Sequence, residues 1–179
     1  MNDAPTIHAS VVLVGAHAVL VRGPSGSGKS RLVLNLIRSA SNGPLIFARL
    51  VADDRVHVQA AHDRLIARAP AALAGLLEVR SVGIQRLPYE PMAIVAWVVD
   101  LDAPTPTRMP EGVAARTAIE GVVLRRLAVA PGCDPVPMVL AAVTSPHTAY
   151  AANCRPESPE PGPPDGRSTV PSAFRTSQR

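Results

Sequence analysis

Gly23-Pro24-Ser25-Gly26-Ser27-Gly28-Lys29-Ser30 is the stretch on which the reading of this chain turns. Its first glycine, its Gly-Lys pair and its final hydroxyl residue carry the spacing of a phosphate-binding loop. In such a loop the glycines let the backbone curl until successive N–H groups converge on phosphate oxygens, and the helix that follows points its positive end at the same anion. Lys29 adds a point charge at the β/γ-phosphates, and Ser30 supplies a hydroxyl suited to magnesium. Lys29 is also the only lysine, since the other seventeen basic residues are arginine. The single exception falls where a compact ammonium on a flexible stem is needed and a planar guanidinium does not substitute.

The flanks fit the motif. Ile7 to Val14 and Ala18 to Val21 are apolar runs separated by Gly15-Ala16-His17, and they predict two strands in a hairpin, the second feeding the loop. Arg31 to Arg38 predicts a helix, with stop signals at Asn42-Gly43-Pro44. Leu45 to Ala52 predicts a buried strand that delivers Asp53-Asp54, where a carboxylate can reach magnesium or the hydroxyl being phosphorylated. A solvated turn is the plain alternative for an isolated Asp-Asp pair, and the preceding loop reverses that preference.

Arg55 to Ala60 and Arg64 to Ala67 alternate around His62-Asp63 as a second hairpin. Beyond it we expect a short helix over Ala71 to Leu77, a strand or active-site loop over Glu78 to Ile84, and a long buried strand over Ala93 to Leu101. Pro104, Pro106 and Pro110 then impose a loop, Glu120 to Val129 predicts another strand, and Val136 to Val143 a helix. The expected architecture is α/β, a P-loop domain with a mixed, β-rich sheet and few helices. It occupies 1–150, and a Pro-rich tail over 151–179 has little to bury and is expected to be disordered.

Composition narrows the class. The formal charge is +4, yet the basic residues are scattered singly and Phe, Tyr and Trp together number five, which argues against a nucleic-acid surface. No stretch has the length of a membrane helix, and the N-terminus lacks the basic segment of a secretory signal, so a cytoplasmic protein is expected. Cys133 and Cys154 have no metal-ligand spacing and are read as incidental thiols. His8 and His17 gain no role from spacing alone. Glu78 and Arg80 alternate with apolar neighbours, which suits a solvated strand face as well as a metal ligand. Arg108 is equally readable as a phosphate clamp or a surface arginine.

Taken in order, these segments resemble the catalytic domain of the bacterial HPr serine kinase/phosphorylase family, in the short form without its N-terminal domain. The resemblance runs from about residue 7 to 145. It rests on His8 fifteen positions before Gly23, on Leu50-Val51-Ala52-Asp53-Asp54-Arg55-Val56, and on Leu77-Glu78-Val79-Arg80-Ser81-Val82-Gly83-Ile84. It implies a PEP carboxykinase-like fold and ATP-dependent phosphorylation of a serine on the phosphocarrier protein HPr, in control of a phosphotransferase system. His8, Lys29, Asp54 and Arg108 would be catalytic, with Asp54 the proton acceptor. Ser30 and Glu78 would hold Mg2+, with Asp53 assisting. A buried carboxylate at Asp54 would act as base forward and as acid in the phosphorolysis that reverses the reaction. The family is hexameric.

Ser81 stands where the family has glycine, and Ala130-Pro131-Gly132-Cys133-Asp134 lacks the glycine-arginine pair associated with dephosphorylation. Two other readings share the phosphate loop: a small-molecule kinase, and a nucleotide-sensing regulator without catalysis. A GTPase would need a second lysine, and no Leu-Ser-Gly-Gly-Gln signature of transporter ATPases is present.

Overall fold

The computed structural model describes residues 5–42, 45, 47–103 and 112–144. The Pro-rich tail and the Pro104 to Pro110 loop, with Arg108, lie outside the described residues.

Strands β2 (Ser10–Val14) and β3 (His17–Arg22) form the anticipated hairpin. Their residues alternate between two cores. Val11, Ala18 and Leu20 pack on one face of the sheet, and Val12, Val19 and Val21 on the other. Strands buried on both faces read as continuous apolar runs, which is why both segments are so uniformly Val, Ala and Leu. Strand β3 leads through the glycine loop into α1 (Lys29–Asn42), whose Leu32, Val33 and Leu36 recur on one side and close over the second core.

The chain continues through β4 (Ala48–Ala52), β5 (Arg55–Ala61) and β6 (Arg64–Arg68). Next come β7 (Leu76–Val79), β8 (Gly83–Arg86), β9 (Ala93–Asp100), β10 (Arg116–Ile119), β11 (Val122–Ala128) and α2 (Pro135–Thr144). The main sheet runs β1-β5-β6-β9-β3-β2-β4, where β1 is Thr6–His8. Strand β9 has one edge against β3 in parallel. Its other edge is divided, with Ala93 to Val95 antiparallel to β6 and Trp97 to Asp100 parallel to β11. Strand β4 approaches β6, and β2 approaches β5, although three strands separate each pair in the sheet order. The sheet therefore curls and encloses the first core between its own strands, while α1 and α2 cover the second. This is the mixed, β-rich α/β architecture with few helices that the sequence suggests.

Four expectations are corrected. Ile7 to Val14 is not one strand: β1 pairs with β5, β2 pairs with β3 and β4, and the fully buried Ala9 marks the crossing between them. The helix over Ala71 to Leu77 shrinks to a single 3-10 turn, Ala71–Leu73, because Gly75 turns the chain at φ +75° and Leu76 enters β7. The 78–84 segment is neither one strand nor a loop: Glu78 and Val79 end β7, Gly83 and Ile84 begin β8, and only Arg80 to Val82 turn between them, the two strands forming their own sheet. Strand β11 begins at Val122, because Glu120 and Gly121 are the left-handed turn from β10, a strand the sequence reading did not anticipate.

Candidate active site

The phosphate loop leaves β3 at Gly23, where the backbone takes φ +153°. A Cβ there would stand 2.7 Å from Ser27 Oγ and 3.0 Å from Leu101 Cβ, so only glycine lets the loop close against the end of β9. Pro24 O accepts the Ser27 N–H, and Gly28 O accepts the Leu32 N–H, which carries the curl directly into α1. Lys29 is 6% exposed and donates to Gly23 O at 3.0 Å and Pro24 O at 2.9 Å. Burial lowers its pKa, and the charges of Asp53 and Asp54 oppose that shift. An ammonium desolvated in this way gains strongly from an anionic ligand.

Asp53 organises the floor of the site. It is 4% exposed at the end of β4, and its carboxylate accepts from Ser10 Oγ at 2.6 Å and from Ser30 Oγ at 2.9 and 3.0 Å. It also accepts the Glu78 main-chain N–H at 3.2 Å. Burying a carboxylate is costly unless such donors surround it. Four elements, β2, α1, β4 and β7, are tied together by this one side chain.

Asp54 faces the other way. Asp53 O accepts the Arg55 N–H at 2.8 Å, and Asp54 sits in the bend at φ +65°, a conformation aspartate tolerates better than most residues. Its side chain is 64% exposed, which corrects the expectation of a buried carboxylate. The bend points Asp53 inward and Asp54 outward, and an outward carboxylate is accessible to a protein substrate. His8, brought alongside by the β1–β5 pairing, has Nε2 3.5 Å from Asp54 Oδ1.

The structure therefore gathers Lys29, Ser30, Asp53 and Asp54 with His8 at one rim. Glu78 joins through its backbone, while its side chain is exposed. One residue was not found from sequence and another was left undecided. Ser10 is a lone hydroxyl in an apolar strand, and its only signal was that a fully buried serine must have a partner. Arg80, read there equally well as part of a solvated strand face, has Nη2 3.6 Å from where a Cβ on Gly26 would stand, so its guanidinium lies over the loop.

The residues fit a phosphate and its cation. Ser27 Oγ is buried with no hydrogen-bond partner among the described residues, an orphan that a phosphate oxygen would satisfy. Ser30, Asp53 and Glu78 offer only hard oxygen donors, as Mg2+ requires. Among the described residues no cluster of three or more His, Cys, Asp or Glu side chains is arranged to hold a metal. No helix among the described residues is long and apolar enough to cross a membrane.

Residues 1–88 match the family described as HPr Serine kinase C-terminal domain. The HPr kinase/phosphorylase of Halalkalibacterium halodurans is 40% identical over 84 residues, which is 45% of this chain and 25% of the relative. That of Levilactobacillus brevis is 39% identical over 85 residues, 47% of this chain and 25% of the relative. The chain thus spans about a quarter of the length of the curated relatives it matches. The solved HPr(Ser) kinase/phosphatase of Coxiella burnetii superposes with a TM-score of 0.66 at 21% identity, covering 81% of this chain and 97% of that one. The likeness read from the sequence is borne out over the segment that holds the phosphate loop, Asp53-Asp54 and Glu78, and the fold likeness extends further along the chain.

Proposed function

We propose that this chain is an ATP- and Mg2+-dependent protein-serine kinase whose substrate is the phosphocarrier protein HPr, acting in the cytoplasm. One observation carries the reading: a buried lysine and a serine at the start of α1 share a phosphate loop with an inward carboxylate, while the next residue presents an outward carboxylate beside a histidine.

Main-chain N–H groups of the Gly23 to Ser30 loop, other than at Pro24, which has none, and Ser27, whose N–H goes to Pro24 O, bind the phosphate oxygens, and the Lys29 ammonium neutralises charge at the transferring group. Ser30, Asp53 and Glu78 would hold Mg2+, which supplies further neutralisation of the phosphoryl oxygens when bound. Asp54 takes the proton of the attacking serine hydroxyl as the serine oxygen bonds to phosphorus and the β–γ bridge breaks. His8, 3.5 Å away, orients that carboxylate. Arg108 is proposed as a further catalytic group on the resemblance alone. Phosphorolysis in reverse belongs to the same proposal, although the loop at Ala130 to Asp134 lacks the pair associated with it.

The test is incubation of the purified chain with labelled ATP, Mg2+ and HPr, followed by added inorganic phosphate. Asp54→Asn is expected to lower phosphoserine formation by about 10²- to 10⁴-fold, the usual range for a positioned general base, with nucleotide affinity nearly unchanged. No phosphoserine from the wild type, or equal yields from both proteins, would sink the assignment.

A further inference from the structure

The catalytic cluster uses one side of the phosphate loop, and the other side opens onto a cavity of about 270 Å³. Strands β3, β9 and β11 run parallel and end together, and the chain leaving each one borders this cavity. Gly26 to Gly28 follow β3, Asp102 follows β9, and Ala130 to Asp134 follow β11. Ligands in open α/β sheets bind outside the carboxyl ends of such strands. We propose that this cavity receives the nucleoside of the triphosphate, a proposal that rests on the kinase reading above.

Strand order fixes the polarity. In the sequence of neighbours β4-β2-β3-β9-β11, β3 with its phosphate loop is central. Asp53 and Asp54 come from the β4 side, and the cavity lies on the β9 and β11 side. A triphosphate laid across the loop with its γ-phosphate toward Asp54 therefore carries its nucleoside into the cavity.

The lining has the matching chemistry. Buried Leu101 and Val129, with Val136, give an apolar surface for the flat face of a base. Asn35, one helical turn beyond Arg31, offers an amide that both donates and accepts. Asp102 and Asp134 provide carboxylates for ribose hydroxyls, and Asp134 Oδ1 accepts the Val136 N–H at 3.1 Å, leaving its second oxygen for a ligand. Arg31 is the one cation among the charged lining residues and the carboxylates outnumber it two to one, so the cavity suits the uncharged end of the nucleotide better than a second phosphate.

Cys133 lies exposed on the cavity wall and serves as a reporter. In the full chain carrying Cys154→Ser it is the only thiol, and its alkylation by iodoacetamide can be timed with Mg-ATP or with inorganic Mg-triphosphate. Calorimetry on the same protein and on its Lys29→Ala variant measures binding of both ligands independently. With both ligands bound in a Lys29-dependent manner, ATP near saturation is expected to slow alkylation about tenfold or more, and inorganic triphosphate less than about twofold. Lys29-dependent ATP binding with unchanged alkylation would overturn the cavity assignment and leave the phosphate loop intact. Equal protection by the two ligands would overturn it as well, since the nucleoside would not be the protecting group. Binding of neither ligand would remove the kinase reading and this one with it.

Discussion

Ser10→Ala tests the centre of the site with the smallest possible change. The hydroxyl donates to Asp53 Oδ1 over 2.6 Å, and both residues are buried. A hydrogen bond to a charged acceptor contributes about 1.5–3 kcal/mol. Asp53 keeps its donors from Ser30 and the Glu78 backbone, so the loss should lie near the low end, about 1.5–2 kcal/mol. Alanine fills nearly the same volume, so no cavity contribution is added. Urea unfolding at pH 7 reads the change as a lowered midpoint at constant slope. Because the serine acts through the carboxylate, Ser10→Ala and Asp53→Asn should not add, with a coupling of about 0.5 kcal/mol or more in a double-mutant cycle. A loss below about 0.5 kcal/mol, or strict additivity, would show that Asp53 does not depend on Ser10 and would refute the organising role assigned to it.

Two further outcomes bear on the frame around the site. Burial alone would raise the pKa of Asp100, but the hydrogen bonds and charges of Arg22 and Arg126 outweigh it, and the net shift is downward. A carboxyl with a lowered folded-state pKa contributes stability that is present above its unfolded value and is lost as pH falls through the folded one. Asp100→Asn should therefore be destabilising at pH 7, and the gap to wild type should narrow only below the ordinary value of 3.8, as read from urea midpoints across pH 7 to 3. Gly75→Ala places a Cβ 2.8 Å from the Tyr89 ring and 3.1 Å from Leu87 O at φ +75°. It should cost about 3 kcal/mol in thermal or urea unfolding, and a cost below about 1 kcal/mol would mean the turn is looser than described.

The parts of the site legible in the sequence are those fixed by local backbone chemistry. The glycine-lysine-serine loop declares itself because its curl needs glycine and its charge needs lysine, and Asp53-Asp54 declares itself by ending an apolar strand. The resemblance alone distinguished the two roles, and which carboxylate turns inward was not legible from the residues, because it depends on the φ of Asp54 and on donors from β2 and β7. Ser10 was missed for the same reason, since its partner is remote in sequence, and Arg80 was left undecided because its place over Gly26 is likewise a matter of the fold. Among the strands, the runs buried on both faces were plain, whereas β1 was absorbed into β2 because apolar continuity carries no information about which neighbour a strand chooses. Strand β10 was missed because Arg116-Thr117-Ala118-Ile119 is short and shows no apolar alternation, and its pairing with β11 comes from the left-handed turn at Glu120-Gly121.

The divided edge of β9 bears on where kinship and autonomy part company. The match to the HPr Serine kinase C-terminal domain stops at residue 88, before the strand that separates β6 from β3. An excised fragment ending there would keep His8, Lys29, Ser30, Asp53 and Asp54, yet its two halves would face an open seam down the middle of the sheet. The divergent half of this chain thus supplies the wedge that makes the familiar half a structure.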